Sequence, residues 1–198
     1  MKMVAERRAS SGPNLLADAA RQLDARAFRD ALGRFATGIV IVTGKLADGE
    51  LSGVTVNSFS AVSIDPPLAL FSLQRTTKSG AALLRAKGYG ISILRSNQQH
   101  LSNQFARASP DRWCSTEWVE GCTGAPFIRG AFARFECEPY ATYEGGDHVI
   151  VVVRVLKFAI ESGAPDPLLF FGGRYRILSD EDGQPGPQEW SLAVYGGW

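Results

Sequence analysis

Apolar residues recur along this chain at two different periods, and the period switches several times. After Asp24, the residues Phe28, Ala31, Leu32 and Phe35 fall at i, i+3, i+4 and i+7. That spacing gives a helix one apolar face. Gly38 interrupts, and the β-branched run "IVIVTG" at 39–44 reads as a strand. "LADGE" at 46–50 carries Asp48-Gly49, a hairpin signal. "GVTVNSFSAVSIDPP" at 53–67 alternates like a strand and stops at Asp65-Pro66-Pro67. "LALFSL" at 68–73 and "YGISIL" at 89–94 are further strands. Between them "KSGAALLRAKG" at 78–88 reads as a short helix with Gly88 as its stop. "NQQHLSNQFARA" at 97–108 is a second helix, with Leu101 and Phe105 at i, i+4.

Residues 109–130 hold Pro110, Gly121, Gly124 and Pro126 and read as loop. "AFARFECEPYATY" at 131–143 alternates again. "DHVIVVVRVLKFAI" at 147–160 is nearly all apolar, a strand buried on both faces or curled round a core. "PLLFFGGRY" at 167–175 closes the domain. The strands rarely alternate with helices, which argues against a doubly wound parallel sheet. The pattern predicts a mainly β fold with short helices, a small barrel of six to seven antiparallel strands. It divides the chain into an arm at 1–25, a domain at 26–178 and a Gly/Pro-rich tail at 179–198. Trp190, Tyr195 and Trp198 make that tail apolar enough to pack on something.

Composition narrows the class. The 198 residues are 45% hydrophobic and 21% charged, ordinary for a soluble globular domain long enough to bury a core. The formal net charge of +1 gives no electrostatic reason to expect nucleic acid or an anionic membrane as partner. Cys114, Cys122 and Cys137 are odd in number and form no CxxC, so neither a disulfide framework nor a metal site is expected. Free thiols point to a reducing cytoplasm. The longest strongly apolar run, Val149 to Val153, falls far short of the roughly 20 residues a membrane span needs. Near the N-terminus the apolar pair Leu15-Leu16 meets Asp18 at once, unlike a secretory signal.

Several familiar motifs fail on spacing. "GIVIVTGK" at 38–45 has five residues between its glycines where a phosphate loop has four, and Leu46 follows where Ser or Thr must hold magnesium. No GxGxxG, GxSxG or HExxH is present. His100 falls on the polar side of its helix and reads as solvated. His148 follows "EGGD", and two readings stand: a strand-start residue bonded to a carbonyl, or a ligand contact on a rigid edge.

Two polar clusters remain. Thr55, Asn57 and Ser58 lie in an alternating strand, where residues 55, 57 and 59 would share one face. They are either a ledge for a flat polar molecule or a strand end satisfying its own backbone. Ser72, Arg75, Thr76, Thr77, Lys78 and Ser79 stand just before a helix. They are either an anion site or an N-cap with solvated cations. A flat ledge beside a phosphate cradle is what a flavin mononucleotide half requires.

In seven stretches, in order, the chain resembles the short-chain NAD(P)H:flavin oxidoreductase family, whose fold is the FMN-binding split barrel. They are "FRDALGRFATGIVIVTG", "GVTVNSFSAVSIDPPLALFSL", "RTTKSGAAL", "YGISIL" with "NQQHLSNQFA", "GAPFIRGAFARFEC", "GGDHVIVVVRV" and "PLLFFGGRY". The likeness spans residues 26–178. It implies that Thr37, Thr55, Val56, Asn57 and Ser58 hold the isoalloxazine ring. Ser72, Leu73, Arg75, Thr77 and Ser79 would line the phosphate and ribityl end. His148, Arg174 and Tyr175 would meet the nicotinamide nucleotide. The resemblance further implies a homodimer, FMN or FAD as flavin, NADH or NADPH as co-substrate, and diffusible reduced flavin delivered to a partner monooxygenase. No protein acid or base is expected. The chain departs from the family at Val153, where members often carry Gly, so a bulkier side chain is expected to narrow any approach there. Two other readings stay open: a flavin carrier or sensor that does no turnover, and an interaction protein that docks through its tail.

Overall fold

The computed structural model describes residues 24–178 except 108 and 164–165. The arm and the tail, with Trp190, Tyr195 and Trp198, lie outside the described residues. Asp24 opens the first helix, α1 (Ala25–Leu32), its carboxylate accepting the Arg26 amide at 2.9 Å. A seven-stranded antiparallel sheet follows. In chain order its members are β2 (Val40–Lys45), β3 (Leu51–Val56), β4 (Ser60–Ser63), β5 (Leu68–Gln74), β6 (Tyr89–Ile93), β9 (Ala133–Gly145) and β10 (His148–Ile160). Their spatial order is β3-β2-β6-β9-β10-β5-β4. The two ends of that order curl towards each other. The Ser72 amide donates to Ser58 Oγ at 2.9 Å, so the chain leaving β3 is pinned to β5 by a side chain. No strand ladder joins β3 to β5. The barrel is therefore split along this seam.

Smaller elements decorate the barrel. β1 (Thr37–Gly38), β11 (Leu169–Phe171) and β12 (Arg174–Arg176) form a three-stranded sheet, and β7 (Trp118–Glu120) pairs with β8 (Pro126–Ile128). The helices are α2 (Lys78–Leu83) and α3 (Gln99–Phe105). The pattern misses β7 and β8, because three-residue strands are too short to show a period. It also overruns α2, whose last turn ends at Leu84 and leaves 85–88 as the connection to β6.

β2 explains why "IVIVTG" does not alternate. Val40 and Val42 enter the barrel interior with Phe71, Ile91, Val151 and Val153. Ile39 and Ile41 face the other way, beneath α3, with Leu94, Phe105, Ile128 and Leu168. A strand buried on both faces needs apolar residues at every position. β10 begins in the same way but does not finish so. Two bulges shift its register, between Val152 and Val153 and between Val155 and Lys157. Leu156, in the second bulge, and Phe158 and Ile160 beyond it are 51%, 64% and 69% exposed. The expectation of a strand covered along its whole length holds only for the half nearer His148. On α1, Phe28 and Leu32 are likewise exposed, as is Phe35 just beyond it.

The thiols differ in setting. Cys114 and Cys122 are exposed, whereas Cys137 is buried. Burial, helped by the charge of Glu136, pushes the Cys137 thiol up to about 12. The thiolate is the reactive form. We expect a disulfide reagent to titrate two thiols in the folded protein and the third only in denaturant. Fast reaction of all three in the native state would contradict the placement of Cys137.

Candidate functional site

The site begins on the small sheet. Thr37 pairs with Phe170, and Phe170 pairs with Tyr175. Residues directly opposite across antiparallel strands share a face, so the three side chains form one row. The Tyr175 ring meets Phe170 edge-on, with centroids 5.6 Å apart. Its hydroxyl lies 2.9 Å from Ser102 Oγ and donates to Asn103 Oδ1 at 3.1 Å. Ser102 is fully buried on α3, and its carbonyl accepts Thr55 Oγ1 at 2.7 Å. Thr37, Thr55 and Tyr175 are thus drawn into one cluster, with Ser102 as the joint. Within it Thr37 Oγ1 is buried and has no hydrogen-bond partner among the described residues. A buried hydroxyl without a partner is costly, and a bound polar ligand would satisfy it.

The strand ledge is arranged differently from the simple alternation. Any Cβ on Gly53 would meet the Phe105 ring at 2.8 Å, and Thr55 reaches α3, so both face the helix layer. Val54 and Val56 pack on the barrel interior. β3 ends at Val56, and Phe59 also turns to the barrel interior, where it meets Phe135 at 5.8 Å. Residues 55 and 59 therefore lie on opposite sides, because the turn at 57–59 resets the alternation. Asn57 is exposed at that turn, and Ser58 is bound to the Ser72 backbone.

The second cluster lies across the seam. Thr77 Oγ1 accepts the Gly80 amide at 3.1 Å and donates to the Gln74 carbonyl at 3.0 Å, so it is the N-cap of α2. Ser79 Oγ accepts Arg112 Nη1 at 3.0 Å. Arg75 pairs with Glu144, and its amide donates to the Asp147 carbonyl at 3.3 Å. Leu73 is buried in the barrel, so only its backbone faces this cluster. His148 stands opposite Gln74 on β10, with Nδ1 2.7 Å from Asp147 Oδ1. That hydrogen bond, with the imidazole charge, holds the Asp147 carboxyl below its ordinary value. Gly146, at φ +74°, makes the turn that delivers this pair. His148 thus sits with Arg75, and Arg174 is exposed on β12. Val153 is fully buried against the barrel core, so its bulk fills the interior and not a cofactor face.

The signature of the flavin reductase like domain matches residues 32–179. The chain belongs to that family. Among the family's curated members, the reductase subunit HsaB of a flavin-dependent monooxygenase from Rhodococcus jostii is 34% identical over 177 residues, covering 89% of this chain and 90% of HsaB. SmoA of Agrobacterium fabrum, an FMN reductase (NADH), is 40% identical over 156 residues, 79% of this chain and 87% of SmoA. Among solved structures, the NADH:FAD oxidoreductase SgcE6 of Streptomyces globisporus, in complex with NAD and FAD fragments, superposes with a TM-score of 0.75 at 34% identity. That match covers 82% of this chain and 99% of SgcE6. The split-barrel fold expected from the flavin reductase resemblance is the fold found.

Ser102, Asn103 and Asp147 were not singled out by sequence reasoning. One signal existed. Gln98, Leu101, Ser102 and Phe105 are the buried positions of the segment, at i, i+3, i+4 and i+7. Two polar residues on an apolar stripe mark a buried polar network.

Proposed function

We propose that this chain is an NAD(P)H-dependent flavin reductase that supplies reduced flavin to a partner monooxygenase. The observation carrying this reading is the buried, unpartnered Thr37 hydroxyl, in a row with Phe170 and Tyr175 and joined through Ser102 to Thr55. It faces no described partner, and a flavin ring edge carries the acceptors it lacks. Bound flavin supplies the hydride acceptor and the reduced nicotinamide the hydride. Thr37, Asn57, Ser58 and the backbone at Thr55–Val56 hold the ring. Ser72, the Leu73 backbone, Arg75, Thr77 and Ser79 take the ribityl and phosphate end. His148, Arg174 and Tyr175 position the nicotinamide nucleotide. The protein's contribution is orientation, and well-oriented reactants gain roughly 7–11 kcal/mol at best. Among the described residues no helix is long and apolar enough to cross a membrane. A cytoplasmic site of action follows from the need for reduced nicotinamide.

A homodimer belongs to the same reading. Phe158 stands opposite Phe135, which packs on the barrel interior. The exposed face of Phe158 and Ile160 is therefore the barrel interior continued past its own wall. A second copy of the chain is its proper cover.

Steady-state oxidation of NADH and NADPH with FMN and with FAD tests the activity. Turnover with at least one pair is expected, and none with any pair would refute it. Replacing His148 by Ala is expected to raise the Michaelis constant for the nicotinamide nucleotide about tenfold, a loss typical of one charged hydrogen bond, and that for flavin less. The opposite ratio would move His148 to the flavin.

A further inference from the structure

Between β3, α2 and the turn at Pro110–Trp113 lies a cavity of about 710 Å³. Lys78, Arg85 and Arg112 line it, with Ser52, Ser79 and Trp113. Ligand sites commonly measure about 300–1,000 Å³. Arg112 is only 9% exposed. Its Nε donates to the Ser109 carbonyl at 3.0 Å, and Nη1 donates to the Gly53 carbonyl at 2.6 Å and to Ser79 Oγ at 3.0 Å. All these acceptors are neutral. Among the described residues, no carboxylate stands within ion-pair distance of Arg112, Lys78 or Arg85. Among the described residues of the lining, Glu50 alone is acidic.

A buried guanidinium with no counter-charge is costly. Burial accordingly pushes the Arg112 pKa down. Lys78 and Arg85, exposed on the α2 side of the cavity, add positive charge to it. The cavity has a flat side too. The Trp113 indole donates to the Leu51 carbonyl at 3.0 Å and is braced edge-on by Phe105 at 5.0 Å and by Trp118 at 6.3 Å. The small residues Ala81 and Ala82 share the lining.

We propose that this cavity binds the pyrophosphate–adenosine half of a flavin dinucleotide, the cations meeting the pyrophosphate and Trp113 the adenine. The proposal rests on the flavin reading above. There Ser79 takes the flavin phosphate, and the Arg112 that holds Ser79 is also a wall of the cavity. A second phosphate leaving Ser79 enters it. The protein is then built for FAD over FMN.

Steady-state kinetics with FAD and with FMN at saturating NADH test this in wild type, Arg85→Glu and Ala81→Trp. Both positions are exposed, so the fold should tolerate the changes. Arg112→Met is included with its melting curve, since loss of a buried cation also perturbs packing. In Arg85→Glu and Ala81→Trp the Michaelis constant for FAD is expected to rise about tenfold or more, and that for FMN less than about twofold. Equal rises for both flavins, no rise, or a rise confined to NADH would overturn the assignment. Failure of the reductase reading is separate: wild type would reduce neither flavin. Calorimetric titration with ADP alone then decides. Binding to wild type that is lost in Arg85→Glu supports the cavity, and no binding to wild type overturns it.

Discussion

Placing a single methyl group at Gly80 is expected to destabilise the protein and to weaken its hold on flavin. Intrinsic propensity argues the opposite sign, because Ala is favoured over Gly inside a helix by about 1 kcal/mol. Geometry decides against it. A Cβ at position 80 would press into the Gln74 carbonyl oxygen and lie 2.7 Å from Thr77 Oγ1. That carbonyl already accepts the Thr77 amide at 3.3 Å and the Thr77 hydroxyl at 3.0 Å. The turn at 74–77 is therefore folded tightly beneath Gly80, and the neighbour is backbone, which cannot rotate away. Overpacking of this kind costs about 1–3 kcal/mol, and a displaced Thr77 cap costs about 1 kcal/mol more. The net loss for Gly80→Ala is about 1–3 kcal/mol, or a fall in melting temperature of roughly 3–10 °C for a chain of this size. Thr77→Ala, which removes the cap alone, should cost only about 1 kcal/mol. Because Arg75, Thr77 and Ser79 move with the turn, the flavin Michaelis constant of Gly80→Ala should rise about tenfold. A variant more stable than wild type, as propensity alone requires, would show that the turn yields freely.

The amino-acid pattern made the barrel legible because each strand carries its own reason. β2 is β-branched from Val40 to Thr43, where it is walled on both sides. The Asp48-Gly49 turn, with Gly49 at φ +86°, is dictated by two residues. The polar cluster before α2 was legible for the same local reason. Of its two readings the cap is found, at Thr77, while Arg75 is paired with Glu144 and Ser79 accepts from Arg112; the anion site stays a proposal. What could not be read was anything joining distant segments. The Thr55–Ser102–Tyr175 chain links residues 47 and 73 positions apart. No local period records such a link. The partner of Arg112 is equally remote, since Gly53 lies 59 positions away. The shared face assumed for 55 and 59 failed because period-two alternation holds only while the strand lasts.

The exposed end of β10 carries the other large expectation. Arginine at both 158 and 160 should convert a dimer into a folded monomer. The two side chains are 64% and 69% exposed in one chain, so within a single copy the substitutions bury no charge. Their cost appears only at an interface. Central apolar contacts there are worth about 2 kcal/mol or more each, and two buried cations without partners add to the loss. The dimer constant should weaken at least about a thousandfold, which sedimentation velocity reads directly, while a single cooperative melt shows that the monomer is still folded. Lys157→Ala is the control, since Lys157 stands opposite Glu136 on the other face of the strand. A wild type that sediments as a monomer at working concentration, or a double variant that remains dimeric, would remove the interface from this face. Activity should fall with the mass. Phe158 stacks on Phe135 at 6.3 Å, and Phe135 meets Phe59 at 5.8 Å. Phe59 ends the turn that presents Asn57 and Ser58. The proposed flavin ledge is therefore two aromatic rings from the proposed dimer interface, and opening that interface frees the rings that steady it.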